Sequence, residues 1–117
     1  MKKDIMIFLK HILENIKDIE SFTKGVSKDN LLKNKEKQNA VVRSLEIIGE
    51  AVKNIPDDFR EKYPSIPWRE IAGTRDKIIH HYFGVDLNIV LDIIEKNIPM
   101  LKQNIQKIMK DLKKEKA

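Results

Sequence analysis

The chain contains no cysteine, which excludes a disulfide framework and a thiolate metal site and suits a reducing compartment. No apolar run approaches the roughly 20 residues that a membrane-spanning helix needs. The basic-then-apolar start at Met1–Lys10 carries an apolar run of five residues, Ile5–Leu9, with no small-residue cleavage site behind it. A secretory signal is therefore not expected. Alternating strand patterns, internal repeats and low-complexity stretches are also missing. The expected location is the cytoplasm, with no membrane partner.

What is present is a helical balance. The length of 117 residues fits one domain over residues 1–117 with a small core, one for which docking to a partner is unsurprising. Hydrophobic residues make up 41% and charged residues 35%, the Lys/Glu/Ile/Leu-rich mixture of long amphipathic helices. The net charge of +5 permits nucleic-acid binding without requiring it. Much of the excess sits at Lys33, Lys35 and Lys37 and at Lys107, Lys110, Lys113, Lys114 and Lys116, which serve equally well as solvated helix faces.

Ile5, Phe8, Leu9, Ile12, Leu13, Ile16 and Ile19 recur at three and four and predict a first helix over 2–24, stopped by Gly25. His11 lies off that stripe and reads as a surface residue. A second helix is expected over about 30–54, entered through Ser27 or Asp29, with a polar first part that frays. Gly49 inside it points to close approach of another helix. Arg43, Glu46 and Glu50 form a surface ion set, or Glu50 is partly buried beside Gly49 and needs a partner. Pro56 ends this helix, and one turn capped by Asp57 is expected over 57–62. Tyr63–Pro67 reads as extended because each proline disfavours helix before it, and Trp68 reads as a core plug. A third helix is expected over 67–82, breakable at Gly73-Thr74 and closed by Gly84. Asp86 caps a fourth whose apolar stripe runs from Leu87 to Leu112, with a kink near Asn97 caused by Pro99 and a frayed tail at about 113–117. The predicted fold class is all-α: an antiparallel four-helix bundle with a short extra helical turn and a kinked C-terminal helix.

The reactive side chains gather at Gly73–Gly84, where two of the three histidines stand beside an arginine and a tyrosine. Arginine offers a planar fork for phosphate oxygens, and histidine exchanges a proton near neutral pH. Such groups suffice for metal-free RNA cleavage: a base takes the 2′-hydroxyl proton, an acid protonates the leaving 5′-oxygen, and a cation stabilises the phosphorus centre. On a regular helix Arg75 and Tyr82 share a face, whereas His80 stands about 140° round from Arg75. Asp76 is four residues before His80 and can orient it. Bringing Arg75 and His80 together is easier with two copies of the helix across a two-fold axis, which predicts a homodimer. His80 and His81 fall in the last turn, where the helix dipole favours protonation. Spacing alone also allows a plain reading, a helix end with a histidine cap and an Arg–Asp surface pair.

Arg75-x4-His80-x-Tyr82 resembles the R-x4-H-x-Y motif of the HepT-like toxins of the HEPN superfamily. Arg43–Ala51, Ile66-Pro67-Trp68 with Ile71-Ala72-Gly73, Tyr82–Asp86 and Ile98-Pro99 resemble the same family, over roughly residues 4–110. The resemblance implies an all-α HEPN bundle that dimerises through the motif helices. It implies a metal-independent endoribonuclease toxin of a type II toxin–antitoxin pair, needing no cofactor and no metal. Arg75 and His80 are then catalytic, with Asp76, His81 and Glu50 in supporting places. The implied partner is a minimal nucleotidyltransferase (MNT) antitoxin that transfers AMP onto Tyr82. The competing readings are a non-catalytic nucleotide- or substrate-binding HEPN subunit of a two-component nucleotidyltransferase and a plain helical interaction module.

Overall fold

The computed structural model describes residues 2–78 and 86–116, with side chains from 5 to 78 and from 86 to 115. Among the described residues the fold is an all-α antiparallel bundle. Its elements are α1 (Lys2–Thr23), α2 (Lys28–Lys33), α3 (Lys35–Lys53), α4 (Asp57–Glu61), α5 (Trp68–Ala72), α6 (Thr74–Ile78), α7 (Leu87–Asp92), a π-helical turn (Ile93–Asn97) and α8 (Ile98–Lys116).

α1 is an unbroken helix of 22 residues, about 33 Å long at 1.5 Å per residue. Its stripe is buried as the spacing predicts: Leu9, Ile12, Ile16 and Ile19 are inaccessible to solvent. α1 packs chiefly along α3 and also against α8. α3 contributes Val41, Leu45, Ile48 and Val52, and α8 contributes Ile105, Ile108 and Leu112, to the same continuous core.

Between α1 and α3 the chain departs from the expected single helix. Residues 28–53 form two helices divided at Asn34, whose extended backbone (φ −107°, ψ 93°) ends α2 and starts α3. The Asn34 side chain accepts from the Lys37 amide at 3.0 Å. Gln38 Nε2 donates to the carbonyls of Leu31 and Leu32, satisfying acceptors that a helix end would leave open. Ser27, not Asp29, caps α2 through the Asn30 amide.

Three further local departures have simple causes. The single turn α4 is entered from Pro56 without a side-chain cap, so Asp57 is its first residue rather than its cap; it pairs with Arg60 at 3.5 Å. Tyr63–Ile66 closes a turn through an Ile66 amide to Tyr63 carbonyl bond of 3.2 Å, where an extended segment was expected; Pro64 stands at the second turn position, which its fixed φ suits. The interruption predicted near Asn97 takes the form of the π turn, with the Ile98 amide bonding the Ile93 carbonyl. A wide turn shifts the carbonyls that the Pro99 ring would otherwise strike. Beyond it α8 remains helical through Lys116, past the point where fraying was expected, with Leu112 buried in the core. Among the described residues, no helix is long and apolar enough to cross a membrane.

Candidate active site

Two short helices carry the candidate arginine. α5 and α6 have five residues each, far too few to be stable alone, so tertiary contacts must hold them. Trp68 anchors the start. Its ring is buried as expected, and its Nε1 donates to the carbonyls of Arg60 (3.1 Å) and Tyr63 (3.0 Å). Gly73 ends α5, so the break expected at Gly73-Thr74 is present. Thr74 bridges it: the buried hydroxyl donates to the Ile71 carbonyl at 2.8 Å and also lies within reach of the Glu70 carbonyl.

α6 then shows two faces. Thr74 and Ile78, four residues apart, point inward, and Ile78 is fully buried. Arg75, Asp76 and Lys77 are exposed. The Ile78 carbonyl accepts from the Asp86 amide at 2.8 Å, which brings the end of α6 to the start of α7. Asp86 caps α7 as predicted, its carboxylate accepting from the amides of Asn88 and Ile89.

Gly49 brings this arm close to α3. A Cβ at Gly49 would stand 3.2 Å from the Ile71 carbonyl oxygen and 3.5 Å from that of Ala72. The close approach expected at this glycine is therefore met by the backbone of α5. One turn earlier on α3, Glu46 reaches α6: its Oε2 lies 3.5 Å from Arg75 Nε. Glu50 lies one turn later. It is exposed and pairs with Lys53 at 3.4 Å, so it is not the partly buried partner-seeker beside Gly49. Arg43, Glu46, Ile47, Gly49, Glu50, Lys53, Ala72 and Arg75 line an open cleft of about 320 Å³ between α3 and the α5–α6 arm. Its cations outnumber its carboxylates three to two, which suits a single anionic group better than a second cation.

Of the predicted site residues, Arg75 and Glu50 share this cleft, and Asp76 is exposed on α6 beside them. His80, His81 and Tyr82 lie outside the described residues, and so does the expected closure at Gly84. Sequence reading missed the particular pairing of Glu46 with Arg75. Its signal was there in part, because Glu46 and Glu50 sit one turn apart on the same outward face of α3 as Arg43.

An all-α bundle thus carries an arginine on an exposed arm, in a cleft with two further cations, the side-chain type that meets phosphate oxygens with a planar fork. A model of the family described as ribonuclease HepT-like matches residues 12–108. The chain belongs to that family. It is 52% identical over 114 residues to a Methanocaldococcus jannaschii protein named "Putative RNase MJ0127", covering 97% of this chain and 94% of that one. It is 47% identical over 110 residues to a "Probable ribonuclease HepT" of Thermococcus cleftensis, covering 94% of this chain and all of that one. A match of 52% identity over 116 residues takes in 99% of this chain but 52% of a longer M. jannaschii protein named "Gamma-glutamylcyclotransferase and putative RNase MJ0434". No solved structure matches the chain.

Proposed function

We propose that this chain is an endoribonuclease that cuts RNA without a metal ion, acting as the toxin of a type II toxin–antitoxin pair. One observation carries the proposal: Arg75 stands outward in a cleft with two further cations, five and seven residues before His80 and Tyr82 in the sequence. Family membership and the names of the relatives support its ribonuclease part. Arg75 binds the scissile phosphate and stabilises the charge that builds on its oxygens. The ribose 2′-oxygen loses its proton and bonds to phosphorus, and the 5′-oxygen departs and takes a proton, leaving a 2′,3′-cyclic phosphate. His80 handles a proton in this exchange. DNA lacks the 2′-hydroxyl and is not cut.

The cleft is open on its outer side, which leaves room for a second copy of the chain to bring its own His80. The working unit in this reading is a homodimer with a composite site. Tyr82 is the point of control: an MNT-type antitoxin transfers AMP from ATP to its hydroxyl, releasing pyrophosphate. The added phosphate then competes for Arg75 and fills the space RNA needs.

The test is cleavage of RNA by the purified protein in a chelator. The wild type is expected to cut, and Arg75→Ala and His80→Ala to lose activity with helix content retained. Equal cleavage by both variants would sink the proposal. Nucleotide or RNA binding without cleavage in the wild type would select a non-catalytic binding subunit instead. Covalent AMP transfer that still silences Tyr82→Phe would exclude Tyr82 as the control point.

A further inference from the structure

Glu46 and Arg75 come from helices 29 positions apart in the chain, and the Gly49 contact brings them together. The two partners are unequally exposed. The Arg75 side chain is 65% accessible and that of Glu46 is 26%. The carboxylate is therefore the fixed member, rooted in a helix packed on the core, and its charge is screened less than that of a free surface group. The contact is made through Nε. A guanidinium engaged there keeps both terminal nitrogens for a bidentate bond to a phosphate. Neither neighbouring carboxylate takes this place: Glu50 is paired with Lys53, and Asp76 is exposed on α6 itself. Among the described residues, Glu46 is the carboxylate that meets Arg75.

We infer that Glu46 is a positioning residue, holding Arg75 by its Nε side so that the terminal nitrogens face the RNA phosphate in the cleft. The inference rests on the ribonuclease reading and adds a residue to it. An unheld arginine samples many rotamers, and these must be frozen as the transition state forms. Held in advance, the fork meets the charge that grows on the phosphoryl oxygens without that delay.

Glu46→Gln keeps the size and shape of the side chain and removes its charge, so the fold should survive. In chelator, its kcat on RNA is expected to fall about ten- to a hundred-fold, the scale of a mis-set catalytic group. KM should change by less than about three-fold. The pH–rate profile should keep its wild-type shape, because a positioning group carries no proton in the reaction. Loss of the acidic limb would make Glu46 a base and overturn the inference. In RNA-free protein, the Arg75 Nε–Hε nuclear magnetic resonance signal, assigned by its absence in Arg75→Ala, should move in Glu46→Gln. Glu20→Gln, which breaks the distant pair with Lys102, should leave both readouts at wild-type values. If Glu46→Gln matches the wild type in kcat and in the Nε signal, the inference fails and the ribonuclease reading stands. If the wild type itself does not cut RNA, the ribonuclease reading fails first.

Discussion

Along α1, four side chains at helical spacing are wholly inaccessible, and they meet equally buried partners from α3 and α8. Along α5 and α6, by contrast, ten residues bury Trp68, Thr74 and Ile78 and turn Arg69, Glu70, Arg75, Asp76 and Lys77 outward. The long helices are held by burial, which is non-directional and tolerant of exact geometry. The arm is held by directed contacts: two bonds from one indole, one threonine hydroxyl, one glycine-sized gap and one ion pair. The difference shows how a small bundle presents chemistry. The body supplies stability through side chains that never meet solvent, and the arm spends few apolar residues so that its charged ones can face a ligand.

Breaking the body should affect stability first. Ile12→Ala or Ile105→Ala removes a fully buried side chain and leaves a cavity, at a cost of about 2–5 kcal/mol. Urea unfolding should show the loss as a lower midpoint. Below the transition, kcat on RNA should stay near wild type, because neither residue touches the cleft. Breaking the arm's chemistry should do the reverse. Arg75→Ala is expected to cut kcat about 10²–10³-fold, the scale for loss of one charge-stabilising donor. Its effect on unfolding should stay within about 0.5 kcal/mol, because an exposed ion pair contributes little.

The contrast also explains what the sequence made legible. Apolar periodicity identified α1, the buried part of α3 and the stripe of α8, because burial leaves a repeating trace over many residues. Single-residue signals with one dominant physical cause were equally readable: Gly49 for close approach, Gly73 for a break, Asp86 for a cap, Trp68 for a plug. The division at Asn34 was not. It depends on Gln38 reaching back to Leu31 and Leu32, and a polar stretch of lysines and asparagines carries no periodic record of such a reach. Glu46 and Glu50 could not be ranked for a related reason. They lie on one face, and only the docking of α5 decides which of them stands opposite Arg75.

The anchoring of the arm can be weakened without touching its charges. Trp68→Phe deletes the donor shared by the Arg60 and Tyr63 carbonyls; both carbonyls keep backbone partners, the amides of Tyr63 and Ile66, so the loss is that of one indole hydrogen bond, about 1 kcal/mol. Because the indole ties α4 to α5, activity should fall alongside stability, unlike in the Ile105→Ala protein. Parallel RNA cleavage and thermal melting would show the coupling; a variant that loses stability alone would place the arm's anchor elsewhere. Asp86→Ala removes the cap of α7 and should cost about 1 kcal/mol, read as a lower thermal midpoint.

Gly49→Ala should give a small change in stability and the sharpest separation of the two regions. Alanine gains about 1 kcal/mol over glycine in a helix interior. Against that, its Cβ would press on the Ile71 carbonyl at 3.2 Å, and relieving such a contact means shifting backbone. The body cannot move far, because α3 is packed along α1, so the arm must give way by a few tenths of an ångström. The two stability terms oppose each other, and the net change is expected to stay within about 1 kcal/mol. The geometric term has no such offset. Moving α5 outward carries α6 with it and lengthens the 3.5 Å contact between Glu46 and Arg75. The expected result is near-wild-type unfolding with a kcat reduced about ten-fold, in the same direction as Glu46→Gln. Combining the two substitutions should cost less than the product of their separate effects, since both act through the position of one guanidinium. A fully multiplicative loss would mean that Gly49 and Glu46 serve the arm independently.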